Sequence, residues 1–383
     1  MRRACRPGFL PVTTALLAIV LLAACTANEK NDAGYTLTGR GPSAVRSDTL
    51  VATGVDTSWS VALPLAGSSR LFAGEFSGYE AVTLLAFTEL PAGATVTGAT
   101  FILDGRSVTA DDSLAPITLQ LAPVTAGWDS TWTGADLGLL TLGSPAAERS
   151  VLLEAALDTV RFSLPPSLVQ SWVDNPAAAQ RGLALRALTP APFMISSYSG
   201  DAAGTAATSS PRILLTCIPD GEAAAVSQTV YPATDLALVR YTPGGPDPGA
   251  LLIGRGAPFR TMLSFDLSGI PASATVNRAE IHLRLEPDPV LSGSLTLAAA
   301  LPLYLEPWTV QSGAVLQEGS VSYALSVSEA DTTATLNITP TLEAAVLAGE
   351  PVLRLLLLSS EESTGVGFIG LREGLTRAER ARL

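Results

Sequence analysis

Residues 84–103, LLAFTELPAGATVTGATFIL, and residues 262–283, MLSFDLSGIPASATVNRAEIHL, are two versions of one passage. Each is an apolar run ending in Phe, then a Pro-Ala turn, then Ala-Thr-Val and an alternating strand. Pro91 and Pro271 are 180 positions apart, as are Val96 and Val276, Ala99 and Ala279, Gly74 and Gly254, and Trp128 and Trp308. Coincidences at one offset mean an internal duplication, so the chain carries two copies of one unit. With 383 residues there is room for two cores of ordinary size.

Outward from that passage, copy one runs from about residue 44 to 218 and copy two from 228 to 383. A polar stretch at 219–227 (PDGEAAAVS) reads as a linker. Both copies alternate short apolar segments with Gly, Pro, Asp and Ser, as in 69–73, 82–87, 99–103, 117–124, 151–157, 182–188 and 212–216. Strands of four to eight residues between turn signals predict an all-β sandwich. One stretch differs. In Pro165-Pro166-Ser167-Leu168-Val169-Gln170-Ser171-Trp172-Val173, Pro sits at a helix start and the apolar side chains share a face. The spacing predicts a short helix ended by Asn175-Pro176, with Trp172 inward. Residues 339–346 match it in copy two, with Val346 in the place of Trp172. Copy one closes on an apolar strand, Arg212 to Cys217. In copy two Arg382 aligns with Arg212 and the given sequence ends at Leu383. Either the sequence continues beyond that residue, or an edge slot there is open to a strand from elsewhere.

The start of the chain concerns location. Arg2, Arg3 and Arg6 precede an apolar stretch to Ala24, too short for a convincing membrane span and ending in small residues, as a signal peptide does. Leu22-Ala23-Ala24-Cys25 resembles the bacterial lipobox. That resemblance implies removal of residues 1–24, acylation of Cys25, and a lipid bilayer held through the N-terminal acyl anchor. Thr26 after the cysteine favours the outer membrane or cell surface. Residues 25–43 read as a flexible tether. Cys5 leaves with the leader and Cys25 is acylated, so Cys217 stands alone and stability must come from apolar cores.

Around Arg260 to Leu267 and Ile270 to Val276 the pattern resembles the DNRLRE-type domains, also classed as carbohydrate-binding-module family 96. Copy two keeps Arg260, Phe265, Asp266, Pro271, Val276 and Trp308, with Phe368 to Glu373 near its end. Copy one keeps Phe87, Pro91, Gly93, Ala94, Val96 and Trp128, but has Val82 and Thr88 where the family has Arg and Asp. The resemblance implies two tandem jelly-roll-type β-sandwich domains, each with one short helix. Such domains belong to secreted and surface bacterial proteins and are credited with polysaccharide binding.

Function must fit the composition. The chain has 23 basic and 35 acidic side chains and a net charge of −12; removing residues 1–24 takes away only basic ones. Nucleic acid, which needs a basic surface, is an unsuitable partner. Acidic polysaccharides are repelled as well, unless arginines cluster on one face. The only histidine, His282, lies on the same side of its strand as Glu280 and Arg284, a solvent-facing place. A His-based triad in copy one is excluded, and no zinc spacing of Cys and His occurs. Carboxylates at Asp129, Asp136, Asp201, Asp288, Glu329 and Asp331 sit among polar loop residues, so the chain reads as non-enzymatic, with a glycan-active enzyme as a remote alternative. No cofactor is expected; calcium suits loop carboxylates but has no assigned site. Glycan binding needs flat aromatic platforms beside polar groups. Trp59 and Trp132, lacking counterparts in copy two, are the best platforms, with Asp129 beside Trp132. Tyr79 and Tyr198 are weaker ones. The leading expectation is a non-catalytic surface lipoprotein that binds polysaccharide or another envelope component. The rival is a structural lipoprotein whose sandwiches contact an envelope protein.

Overall fold

The computed structural model describes residues 49–371 apart from 51–56, 111–115, 153, 155–157, 189–192, 203–207, 243–250, 288–293, 301–322, 329, 361 and 364. The leader, Cys25, the tether, Trp308, Asp288, Glu329 and residues 372–383 lie outside the described residues. Antiparallel strands dominate, as the alternation predicts. Residues 49–383 form one compact unit.

The first half contributes β1 (Thr57–Ser60), β2 (Arg70–Phe76), β3 (Tyr79–Ala86), β4 (Thr95–Ala110), β5 (Pro116–Pro123), β6 (Ala147–Leu152), β7 (Thr159–Leu164), β8 (Leu183–Ala187), β9 (Phe193–Tyr198), β10 (Arg212–Ile218) and β11 (Val226–Val230). The second contributes β12 (Thr234–Tyr241), β13 (Leu251–Arg255), β14 (Phe259–Asp266), β15 (Glu280–Pro287), β16 (Ser294–Ala300), β17 (Tyr323–Ser328), β18 (Thr333–Asn337), β19 (Val352–Ser359) and β20 (Gly367–Leu371). The duplication is visible in the ladders. One run, β12-β3-β8-β5-β6, repeats as β1-β14-β19-β16-β17. The other strands follow suit, with β2, β9, β4 and β7 matched by β13, β20, β15 and β18.

Those ladders contain an exchange that repeat matching does not foresee. By position β1 corresponds to β12, and β3 to β14. Yet β1 pairs with β14 in the second half, from Thr57 opposite Met262 to Ser60 opposite Phe259. β12 pairs with β3 in the first half along its whole length, from Thr234 opposite Ala86 to Tyr241 opposite Tyr79. Each half is therefore closed by a strand belonging to the other copy. Ser58 fixes β1 further: its hydroxyl donates to the Leu252 carbonyl at 3.1 Å and accepts from the Leu252 amide at 3.0 Å. Residues 219–227 are correspondingly no free linker. Residues 219–225 are the turn of a hairpin in which β11, starting at Val226, folds back on β10, Cys217 opposite Val226.

Two cores result. The first is built on Phe87, Phe101, Phe162, Phe193, Ile213 and Leu215, with Leu252 and Val366 reaching into it from the second half. The second is built on Leu263, Phe265, Ile281, Leu283, Leu336 and Leu355. Burying each such side chain is worth about 1.5–3 kcal/mol. β7 shows the pattern in its simplest form: Val160, Phe162 and Leu164 are buried and the residues between them exposed. Phe162 meets Phe101 edge-on, ring centres 5.9 Å apart. Gly74 is required where it stands, since at φ +146° a Cβ would lie 2.1 Å from the Phe193 carbonyl oxygen.

The helix expected after Pro165 is α1 (Pro166–Asp174), and Trp172 is buried and stacked on Phe87 at 5.8 Å. α1 ends at Asn175-Pro176 as expected, with Asn175 as its C-cap, but a further helix follows that the spacing does not predict. Pro176 opens a second short helix, α2 (Pro176–Arg181), occupying a first-turn position where no amide is needed. In the second half α3 (Thr339–Ala348) buries Val346 in the corresponding place.

Candidate functional site

The loop after β5 holds two of the three binding residues expected from sequence. The Trp128 indole N–H donates to the Arg181 carbonyl at 2.9 Å, tying the loop to the end of α2. The Asp129 carboxylate accepts from the Thr131 hydroxyl at 2.5 Å and amide at 2.8 Å, and these bonds hold its pKa below the usual carboxylate range. Asp129 thus builds the turn that presents Trp132, whose amide donates to the Asp129 carbonyl at 3.2 Å. The Trp132 ring is half-buried against the first core. Thr133 and Asp136 then form a capping box on a short 3-10 helix, Gly134–Leu139.

Trp59 sits elsewhere. It lies in β1, half-buried, opposite Arg260 on the second half's sheet. Trp132 and Asp129 therefore share one turn, while Trp59 hangs from another sheet. Tyr79 is no platform, being fully buried at 0 % exposure. It packs on Tyr241 at 4.9 Å, and Tyr241 meets Phe259 of β14 at 5.3 Å, so these rings join the halves.

Tyr198, one of the two weaker candidates by sequence, has the most distinctive surroundings. It ends β9, directly opposite Arg70 at the start of β2. On the other side of β9 the ladder with β4 slips between Gly105 and Ser107, and Arg106 is the residue left over. The two guanidinium carbons lie 5.0 Å and 4.5 Å from the Tyr198 ring centre. At that range each cation is attracted by the ring's electron-rich face. Among the described residues neither guanidinium meets a carboxylate. Positive charge from two strands is thus gathered on one tyrosine in a chain that is acidic overall. Sequence reading missed both arginines because Arg70, Arg106 and Tyr198 are far apart along the chain. Only the register of three strands brings them together. The second half does not repeat the arrangement, since Glu286 stands 180 positions after Arg106.

The remaining carboxylates mostly serve the fold. Asp104 accepts from Arg212 and Thr159, each at 2.7 Å. Hydrogen bonds from the Ser268 hydroxyl and amide lower the Asp266 pKa, and those from the Ser328 amide and hydroxyl lower that of Asp331. Asp235, in β12, accepts from the Gly200 amide at 2.6 Å and is buried, which raises its pKa. His282 is exposed, as its strand position predicts, 3.2 Å from the Thr335 hydroxyl. Cys217 is buried. Among the described residues no group of three or more His, Cys, Asp or Glu side chains is arranged to hold a metal ion, and no helix is long and apolar enough to cross a membrane. What the Tyr198 face can do chemically is hold an anion while an aromatic ring supports an apolar surface beside it. No family model matches the chain, and no curated protein matches it.

Proposed function

We propose that this chain is a non-catalytic exported lipoprotein, anchored through Cys25 to the outer membrane or cell surface, that binds polysaccharide. Its halves are jelly-roll-type sandwiches akin to the DNRLRE-type domains. The observation that carries the reading is the Arg70–Tyr198–Arg106 face. A tyrosine ring offers a surface for a sugar ring, and two guanidiniums select one bearing carboxylate or sulfate groups. This arginine cluster is the condition under which so acidic a chain tolerates an acidic polymer. Trp132, presented by the Asp129 turn, is a second platform on the same half.

Affinity electrophoresis of the mature, unlipidated chain through gels containing neutral or acidic polysaccharides tests this. Retardation by at least one acidic polymer is expected, abolished by the double change Arg70→Ala, Arg106→Ala and reduced by Trp132→Ala. Retardation unaffected by the double change removes the site; no retardation by any polymer removes the reading.

A further inference from the structure

Three backbone segments meet at the Tyr198 face, and each is pinned close to where its side chain leaves. The Arg70 amide donates to the Ser68 hydroxyl at 3.1 Å, and that hydroxyl donates in turn to the Ser363 carbonyl. The Ser199 amide, next to Tyr198, donates to the Ser69 carbonyl at 3.2 Å. The bulge that carries Arg106 is held on both sides. The Gly105 amide donates to the Asp158 carbonyl at 3.3 Å, and the Ser107 and Ser196 hydroxyls share a hydrogen bond of 2.6 Å. Charges borne by anchored strands keep their separation, which charges on loops do not.

The sheet order sets that separation. β9 lies between β4 and β2, so Arg106 and Arg70 start from strands on opposite sides of Tyr198. Two strand spacings put their backbones roughly 10 Å apart. Both guanidiniums then lean inward to within 5.0 Å of the ring centre, and the ring stands between them. A small anion bound by both would have to displace the ring. An anion on one of them leaves the other charge unmet, because among the described residues neither guanidinium meets a carboxylate. The arrangement matches two anionic groups, one on each side of the tyrosine.

We propose that this site recognises a pair of acidic groups carried on separate sugars of one ligand, one group on Arg70 and one on Arg106, with Tyr198 as the spacer. The proposal rests on the polysaccharide reading and narrows it. The ligand is a polymer charged along its length, and a sugar with one acidic group fills only half the site. Once the first group is bound, the second is presented at high local concentration, so affinity rises steeply with the second charge.

Isothermal titration of the full mature, unlipidated chain tests this, with galacturonate, digalacturonate and trigalacturonate as one series and sulfated galactose oligomers as another. In at least one series, ligands with two or more charges should bind roughly a hundred-fold more tightly than the singly charged sugar. The longer ligand stripped of all but one charge should fall back to the single sugar's level, so that length alone does not account for the gain. Arg70→Gln and Arg106→Gln should each abolish the gain. Tyr198→Leu keeps both charges but not their spacing, and should lose most of it. Equal binding of singly and doubly charged ligands overturns the proposal and leaves the polysaccharide reading standing. A gain undiminished by Tyr198→Leu also overturns it, since net charge rather than spacing would then be read. Binding by no oligomer overturns it too, and the polymer gels then decide the polysaccharide reading separately.

Discussion

Thr95 to Thr100 and Thr275 to Glu280, TVTGAT and TVNRAE, share three of six residues at the same place in two halves of one protein. The first is a strand with Val96 buried. The second is irregular until Glu280, with Val276 half-buried. Asn277 and Glu280 favour a strand less than Thr97 and Thr100 do, and the neighbours differ as well. Residues 95–100 are flanked by β10, and Gln170 of α1 caps their start, its amide oxygen accepting from the Val96 amide at 2.7 Å. In α3, Ala344 stands where Gln170 would be, and no described strand takes the place of β10. A strand in a sheet of this kind is a property of its partners as well as of its own residues.

The comparison can be broken from the first half. Leu215→Pro removes a ladder hydrogen bond from the middle of β10 and a fully buried side chain, and should cost 3 kcal/mol or roughly more. Urea unfolding should show that loss, and hydrogen exchange at 95–100 should rise to the level of 275–279. The next largest contrast lies between two ion pairs at equivalent positions. Glu80 on β3 pairs with Arg240 on the open surface of the exchanged strand. Its counterpart Arg260 turns instead to Glu362, donating through Nε at 2.8 Å and Nη2 at 2.7 Å, with both side chains largely buried. Glu362→Gln should therefore destabilise by about 3 kcal/mol and Glu80→Gln by less than about 0.5 kcal/mol, read from matched denaturation curves.

A smaller effect concerns pH. Burial raises the Asp235 pKa above its ordinary 3.8, so the folded chain holds that proton more tightly than the unfolded chain. Stability contributed by this group is full below the unfolded pKa and falls as pH rises from about 3.8 through the raised value. Asp235→Asn keeps an acceptor for the Gly200 amide and should flatten that decline, which thermal melts between pH 3 and pH 7 would resolve, roughly, as a few degrees. Least of all, Gln170→Ala removes the cap on Val96 and should cost about 1 kcal/mol, speeding exchange of the Val96 amide without unseating β10. If Gln170→Ala instead made 95–100 exchange like 275–279, the cap rather than the partner strand would set the difference.

Much of the architecture was legible in the residues. The offset of 180 gave the duplication, period-two alternation gave the strand class, and Pro166 with Trp172 gave α1 and its burial. The exchange of β1 and β12 was not legible. A repeat reveals that two segments are equivalent, but pairing depends on which edge each reaches, and nothing local to Thr57 or Thr234 records that. The site was read least well. Trp132 and Asp129 do share one turn, but the carboxylate is spent on Thr131. Tyr79 lies after a Gly turn and reads as exposed, yet it is buried with Tyr241 of β12 packed on it. Tyr198 gained its two arginines from a bulge and a cross-strand register, both of which are non-local.

The exchanged strand has a consequence in time. Ser58 and Arg260, which meet across β1 and β14, are 202 positions apart. At roughly 5–20 residues per second, β1 precedes its partner by about 10–40 s of synthesis. Before that interval ends the first half can complete its ladders, β12 included, since β12 is made before β14. β1 can only wait. The second half therefore cannot finish without the earliest-made strand of the fold, and a cut between β1 and β2 would turn a local nick into the loss of a distant sheet's edge.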